Sequence, residues 1–348
     1  MKKNEKGGLI MEKIAVVLAG GRGERLFPLS TDDKPKQFLN LYNDNSLLIN
    51  TVNRLLEVFD KENIYVVGRK KDENILHNLL ENKINTEHIL LEHASLNTAF
   101  SILYSIYKIK EKHEEAIINV FSSDHYIKNG DKYIEILKEV NEKVDENILL
   151  FGVTPTHPST QFGYIKLSNS IEKIKKVEAF IQKPDLEKAK EYLKNNYLWN
   201  SGIYIFKLKT MINEFSKYLP EYIKYFDEYF IYNTISMDEL ISFLNPTSID
   251  KAILEKSDIV SAYEFDAGWM DVGTYSNLDL ILEHDKNNNT LSKNVKMLDS
   301  NNCMVIGNTK KITLIDVDDL VVSFGEDEIL IMKKTSDISK INNYNSNV

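Results

Sequence analysis

Ile14-Ala15-Val16-Val17-Leu18-Ala19-Gly20-Gly21-Arg22-Gly23-Glu24-Arg25-Leu26 decides the fold. Its first six residues form a continuous apolar run rich in branched side chains, which reads as a parallel strand buried on both faces. A glycine loop follows at once. Glycines let the backbone approach a ligand closely, and successive N–H groups can cradle phosphates. The spacing is neither G-x-G-x-x-G nor G-x-x-x-x-G-K-[ST], so neither a dehydrogenase nor a P-loop ATPase is favoured. An ordinary tight turn is the plain alternative. Leu26-Phe27-Pro28-Leu29-Ser30 then leads to Lys34-Pro35-Lys36-Gln37-Phe38. The prolines stiffen this segment, and Lys36 offers a point charge suited to a triphosphate.

Outward from this stretch, Ile64–Val67 and Ile117–Phe121 repeat the buried-strand pattern. Helical periodicity over Leu47–Phe59 and Thr98–Ile109 alternates with them. Strand–helix alternation predicts right-handed βαβ units in a doubly wound sheet, with ligands beyond the carboxyl ends of the strands. From Ile148 the pattern is mixed. Strands are predicted at 148–153, 163–167, 174–181 and 202–206, and helices at 185–195, 208–230 and 274–284. After the polar break Asn287–Thr290 come short strands at Cys303–Ile306, Ile312–Val317, Leu320–Phe324 and Ile329–Lys333. The predicted fold is α/β: a doubly wound, Rossmann-like mixed sheet with a small C-terminal β domain. The expected organisation is a disordered extension over 1–10, a catalytic domain over 11–286, a small β domain over 291–341 and a disordered tail over 342–348.

The 348 residues carry 43 Lys plus Arg against 52 Asp plus Glu, a net charge of −9. That balance argues against a nucleic-acid binder, which usually shows a basic face. It leaves room for local phosphate binding by a few lysines and a divalent cation. Cys303 is the only cysteine, so no intrachain disulfide can form, and a reducing cytoplasm is expected. No run approaches the roughly 18–20 apolar residues of a membrane span. No apolar secretory core follows the basic start, and Met11, just before the first strand, is an alternative start to Met1.

The run LAGGRGERLFPLS…KPKQF resembles the signature of sugar-phosphate nucleotidyltransferases. Its Lys-Gln-Phe ending most resembles the mannose-1-phosphate guanylyltransferases. Further likenesses follow in the family's order: Glu92–Ala99, Ser122-Ser123-Asp124-His125, Phe162-Gly163-Tyr164-Ile165, Gln182-Lys183-Pro184-Asp185, Trp199-Asn200-Ser201-Gly202 and Gly268–Gly273. The resemblance implies transfer of GMP from GTP to mannose 1-phosphate. It implies that Leu18, Ala19, Gly20, Gly21 and Gly23 wrap the triphosphate, while Arg25 and Lys36 neutralise its charge. Glu92, Asn97 and Thr98 frame the base. Gly163, Tyr164, Gln182 and Asn200 meet the sugar, and Lys183 its phosphate. Asp124 and Asp271 meet around one Mg²⁺, with Mn²⁺ able to substitute.

The chemistry agrees with that residue set. Two anionic reactants must be screened and aligned in line, and the nucleophile is already charged, so no general base is required. Asp124 stands just past a buried strand, where its plain alternative is a helix N-cap. Asp271 sits in Gly-Trp-Met-Asp-Val-Gly, where the alternative is a turn. A carboxylate at Glu92 can accept from the two neighbouring N–H groups of guanine. Departures from the family pattern fall at Ser95, Leu96, Phe100, Gln161 and Gln182, and Ser122 replaces a usual Pro. Another sugar 1-phosphate or nucleotide, or a non-catalytic sugar-nucleotide binder, are the competing readings. Members fused to a sugar-phosphate isomerase domain are longer, so transferase activity alone is expected. Sheet edges in the C-terminal strands suggest a homodimer.

Overall fold

The computed structural model describes residues 11–21, 23–290, 294–307, 310–336 and 338. The expected N-terminal extension and C-terminal tail lie outside the described residues. The chain forms two compact units. One contains the first strand up to Gly20, Val52–Ser123 and Ile127–Trp269; the other contains Gly21–Thr51, Asp124–Tyr126 and the chain from Met270.

The first unit is built on a nine-stranded mixed sheet. Its strands are β1 (Glu12–Leu18), β2 (Ile64–Arg69), β3 (Ile89–Glu92), β4 (Ala116–Ser122), β5 (Ile148–Val153), β6 (Gly163–Leu167), β7 (Ile174–Gln182), β8 (Leu198–Lys207) and β9 (Val260–Glu264). They lie in the order β3-β2-β1-β4-β8-β5-β9-β7-β6. β1 to β4 pair in parallel, as the continuous apolar runs required. β8 runs antiparallel to β4, β5 and β6. Its start at Leu198–Ser201 therefore lies along the same edge as the ends of β1, β3, β4 and β5. Pairing of Gly163 with Gln182 brings β6 and β7 to that edge as well.

Helix Asn97–Lys110 covers the sheet with side chains buried on most sides, among them Phe100, Leu103 and Ile106. The helix predicted over 208–230 is instead two, Leu208–Tyr218 and Pro220–Phe230. Pro220 has no N–H to continue the first helix, but it suits the first position of the next. The helix predicted over 274–284 is confined to Tyr275–Asp279. The strand predicted over 202–206 is the inner part of β8. Strands β3 and β9 and helices Glu73–Leu80, Gly130–Asn141 and Met237–Phe243 are additions to the predicted elements.

The second unit packs Leu26, Leu29, Leu39 and Leu47 with Val272, Tyr275, Met304 and Val321. Val295–Leu298 pairs in parallel with Ile312–Ile315, and Met304–Ile306 with Leu320–Phe324. Both pairings have the same offset, 312 − 295 = 321 − 304 = 17, so the chain coils over itself here. The Tyr275 hydroxyl lies 3.1 and 2.9 Å from the carbonyls of Leu26 and Phe27 and 2.6 Å from Ser323 Oγ. The C-terminal strands thereby brace the segment between the glycine loop and Lys36.

Candidate active site

In the second unit, Lys36 is the meeting point of three distant stretches. Pro35 opens the short 3₁₀ turn Lys36–Phe38. Gly23 has φ +73°, and a Cβ there would lie 2.7 Å from Lys36 Cβ, so the loop passes the lysine only as glycine. The Lys36 ammonium is 2.8 Å from Asp124 Oδ2 and 3.3 Å from Asp271 Oδ1. Burial opposes the charge on Lys36, but the two carboxylates outweigh it and raise its pKa. Burial likewise opposes ionisation of Asp124, yet Lys36 and then His125 hold its pKa below the ordinary value. Asp124 does not cap a helix. Asn129 does, accepting from Lys132 N at 3.0 Å to open Gly130–Asn141. Asn277 Nδ2 donates to the Asp271 carbonyl at 2.8 Å and fixes that turn. A Cβ on Gly273 would lie 3.0 Å from Arg25 Nη2 and 3.1 Å from Asp271 Oδ2, which places the guanidinium beside this carboxylate.

Among the described residues no group of three or more His, Cys, Asp or Glu is arranged to hold a metal. Two carboxylates that share one cation fit Mg²⁺ nonetheless. That ion takes hard oxygen ligands, typically one or two carboxylates with the rest from phosphates and water.

The first unit holds the residues expected at base and sugar. β1 ends in Leu18, and Ala19 N donates to Val67 O at 2.7 Å. A Cβ on Gly20 would lie 3.4 Å from Glu92 Oε2. Glu92 is buried at the end of β3. That burial pushes its pKa up to about 7, with the Ser101 hydroxyl opposing. Its Oε1 is buried without a hydrogen-bond partner. Asn97 adopts φ +68°, and its Oδ1 accepts from Thr98 N at 2.8 Å. Thr98 Oγ1 accepts from Ile249 N at 3.0 Å.

Gly163, Gln182 and Asn200 converge. A Cβ on Gly163 would lie 2.6 Å from Gln182 Oε1 and 3.4 Å from Asn200 Cβ. Gln182 Oε1 is buried without a partner. A β-bulge between β5 and β8 lies beside Asn200, and Gly202 within it takes φ +75°. Lys183 follows β7 with an exposed side chain and φ +50°, an uncommon conformation for lysine. Tyr164 is different from the rest. Its ring is fully buried, and its hydroxyl is spent on the backbone N and O of Ser159, each at 3.0 Å.

The nucleotidyl transferase family profile matches residues 14–288. The chain belongs to that family. It is 31% identical to the alginate biosynthesis protein AlgA of Pseudomonas fluorescens over 334 residues, covering 92% of this chain and 69% of that protein. It is also 31% identical to a mannose-1-phosphate guanylyltransferase of Escherichia coli, covering 93% of this chain and 73% of the relative. A crystal structure from Thermus thermophilus, described as a mannose-1-phosphate geranyltransferase, superposes with a TM-score of 0.88 at 30% identity. That match covers 97% of this chain and all of the other. The family membership and the predicted α/β fold therefore stand together.

Three polar residues at this site of the nucleotidyltransferase had no mark in the sequence. Asp250 Oδ1 accepts from Asn200 Nδ2 at 3.1 Å and from the Tyr204 hydroxyl at 3.0 Å. Glu255 Oε1 accepts from Gln182 N at 2.9 Å. Asp250 and its neighbours form a π-helical turn, Asp250–Leu254, a local irregularity often found at functional sites. No element or motif is predicted from the sequence over this stretch, so nothing singles out its acidic residues. No helix among the described residues is long and apolar enough to cross a membrane.

Proposed function

We propose that this chain transfers GMP from GTP to mannose 1-phosphate, forming GDP-mannose and pyrophosphate. The observation that carries the reading is Lys36 held between Asp124 and Asp271, in a family member whose relatives include mannose-1-phosphate guanylyltransferases. A phosphate oxygen of the sugar attacks the α-phosphorus of GTP. The bond to the β-phosphate bridging oxygen breaks, and pyrophosphate leaves with that electron pair. The attacking oxygen is already an anion, so no residue need remove a proton.

Asp124 and Asp271 would hold Mg²⁺, or Mn²⁺ in its place. When bound, that ion would supply charge neutralisation and polarisation of the phosphate oxygens. Lys36 and Arg25 add fixed positive charge for the triphosphate, and the neighbouring carboxylates outweigh burial and keep Lys36 protonated at neutral pH. Leu18 and Ala19 lead into the loop, and the backbone of Gly20, Gly21 and Gly23 offers N–H groups to phosphate oxygens. Glu92 accepts from guanine through its carboxylate. Lys183 meets the phosphate of mannose 1-phosphate, and Gln182 and Asn200 meet its hydroxyls.

Pyrophosphate release measured with GTP, ATP, UTP and dTTP against mannose 1-phosphate and glucose 1-phosphate tests this reading. GTP with mannose 1-phosphate should give the highest kcat/KM and should lose activity in EDTA. Preference for another pair would overturn the substrate assignment. Sedimentation velocity on the same sample reads the homodimer proposed from the strand edges.

A further inference from the structure

The amide of Asn200 is keyed at both ends. Its Oδ1 accepts from Gly202 N at 3.2 Å. Its Nδ2 donates toward the Tyr204 hydroxyl at 3.2 Å and Asp250 Oδ1 at 3.1 Å, while that hydroxyl donates to the same Asp250 oxygen at 3.0 Å. All three side chains are buried. Turning the amide over would set its oxygen against a carboxylate, which offers only acceptors, and its NH₂ against the Gly202 N–H. Both mismatches would be buried, and each unsatisfied buried group is destabilising. Only one orientation satisfies the two ends.

The geometry also limits what remains for a ligand. Sides of 3.2, 3.1 and 3.0 Å make a nearly equilateral triangle, with an angle of roughly 60° at Nδ2. The two hydrogens of an amide nitrogen are about 120° apart, so these acceptors either share one hydrogen or take one each at a bent angle. One lone pair of Oδ1 is left beyond the bond from Gly202. The amide thus presents its nitrogen and oxygen ends in a fixed sense.

We propose that Asp250 is a positioning residue for sugar recognition, fixing through Tyr204 and its own carboxylate the polarity with which Asn200 meets a sugar hydroxyl. The same short segment supports neighbouring contacts: Glu255 takes the Gln182 N–H, and Ile249 N reaches Thr98. The proposal rests on the reading of Asn200 as a sugar contact.

The test compares the full chain with Asp250→Ala, Asp250→Asn and Tyr204→Phe. In Asp250→Ala, KM for mannose 1-phosphate should rise tenfold or more, with KM for GTP changed less than twofold. Its preference in kcat/KM for mannose 1-phosphate over glucose 1-phosphate should fall at least fivefold. Asp250→Asn keeps an Oδ1 acceptor and should return both quantities to within threefold of wild type. Tyr204→Phe should fall between them. An equal rise in both KM values would mark a merely structural role and overturn the proposal.

A second readout needs no turnover. In ¹⁵N-labelled protein the Asn200 side-chain amide, assigned by its loss in Asn200→Asp, should exchange with D₂O at least tenfold more slowly in wild type than in Asp250→Ala. Equal exchange would refute the fixed polarity even if the enzyme is active. A protected amide in a wild type that turns over no hexose 1-phosphate would sink the functional reading and leave the keyed amide standing.

Discussion

Replacing Lys36 with Met removes the ammonium that lies between Asp124 and Asp271 while keeping most of the buried stem. At an effective dielectric of about 20, contacts of 2.8 and 3.3 Å correspond to about 6 and 5 kcal/mol of Coulomb attraction. Desolvating the three groups takes back most of that, and breaking a buried pair from one side typically costs about 3–5 kcal/mol. Both carboxylates keep about a fifth of their surface exposed, so the low end applies, about 3 kcal/mol. Lys36→Met should therefore unfold on the order of 5 °C lower than wild type in EDTA.

The deficit has a pH window. The raised pKa of Lys36 means its contribution is present below about 10.5 and is lost as pH rises through the higher folded value. The lowered pKa of Asp124 means its contribution is present above about 3.8 and is lost as pH falls through the lower folded value. The gap between variant and wild type should be widest near neutrality and close in strong acid. Added Mg²⁺ should narrow it, because a divalent ion can replace the ammonium between the carboxylates. Thermal melts across pH, with either EDTA or saturating Mg²⁺, read all three effects. A variant as stable as wild type in EDTA, or a gap indifferent to Mg²⁺, would refute the view of this cluster as a cation-compensated carboxylate pair.

Four other outcomes follow from the same site. Asp124→Asn and Asp271→Asn should each lower kcat by about 10²-fold or more in a pyrophosphate-release assay, the scale of losing a preorganised electrostatic contact. Lys183→Asn should raise KM for mannose 1-phosphate tenfold or more. It should also melt slightly higher, since Asn tolerates φ +50° and relieves on the order of 1 kcal/mol of backbone strain. With Glu92 at a pKa of about 7, GTP affinity measured by calorimetry should rise roughly tenfold from pH 6 to pH 8 as the carboxylate ionises, and Glu92→Gln should abolish that slope. The same raised pKa contributes stability that is present below about 4.5 and lost as pH rises through 7, so Glu92→Gln should melt higher than wild type in alkali. Gln182→Glu should change the kcat/KM ratio of mannose 1-phosphate to glucose 1-phosphate several-fold, about 1 kcal/mol, if Gln182 reads the sugar.

Strands β1 and β4 were legible because burial on both faces makes the body of each a nearly continuous apolar run, broken in β4 by the buried Asn119, and such a run has few other readings. The helix over 97–110 was legible from its apolar spacing. Strand β3, only four residues long, gave too little sequence to show a period. The break at Leu219-Pro220 was written in the proline, yet the apolar pattern runs through it on both sides and suggested a single helix. Gly163, Gln182 and Asn200 were named from motif likeness, and the structure brings the Gln182 and Asn200 side chains up to Gly163. Tyr164 was named in the same way, but its hydroxyl serves the Ser159 loop.

Local chemistry and motif order were therefore properties of the sequence alone: the glycine loop after a buried strand, Lys36 behind two prolines, a lysine before Pro184, and carboxylates at 92, 124 and 271. Each depends on neighbours within a few residues, which the chain displays directly. The ion pair of Lys36 with Asp124 and Asp271, the keyed amide of Asn200, and the raised pKa of Glu92 were decided only by the tertiary structure. Those properties depend on distance and burial between segments tens to hundreds of residues apart. Linear spacing carries no information about either, and a carboxylate in an amphipathic stretch reads the same whether it faces water or, like Asp250, a buried amide.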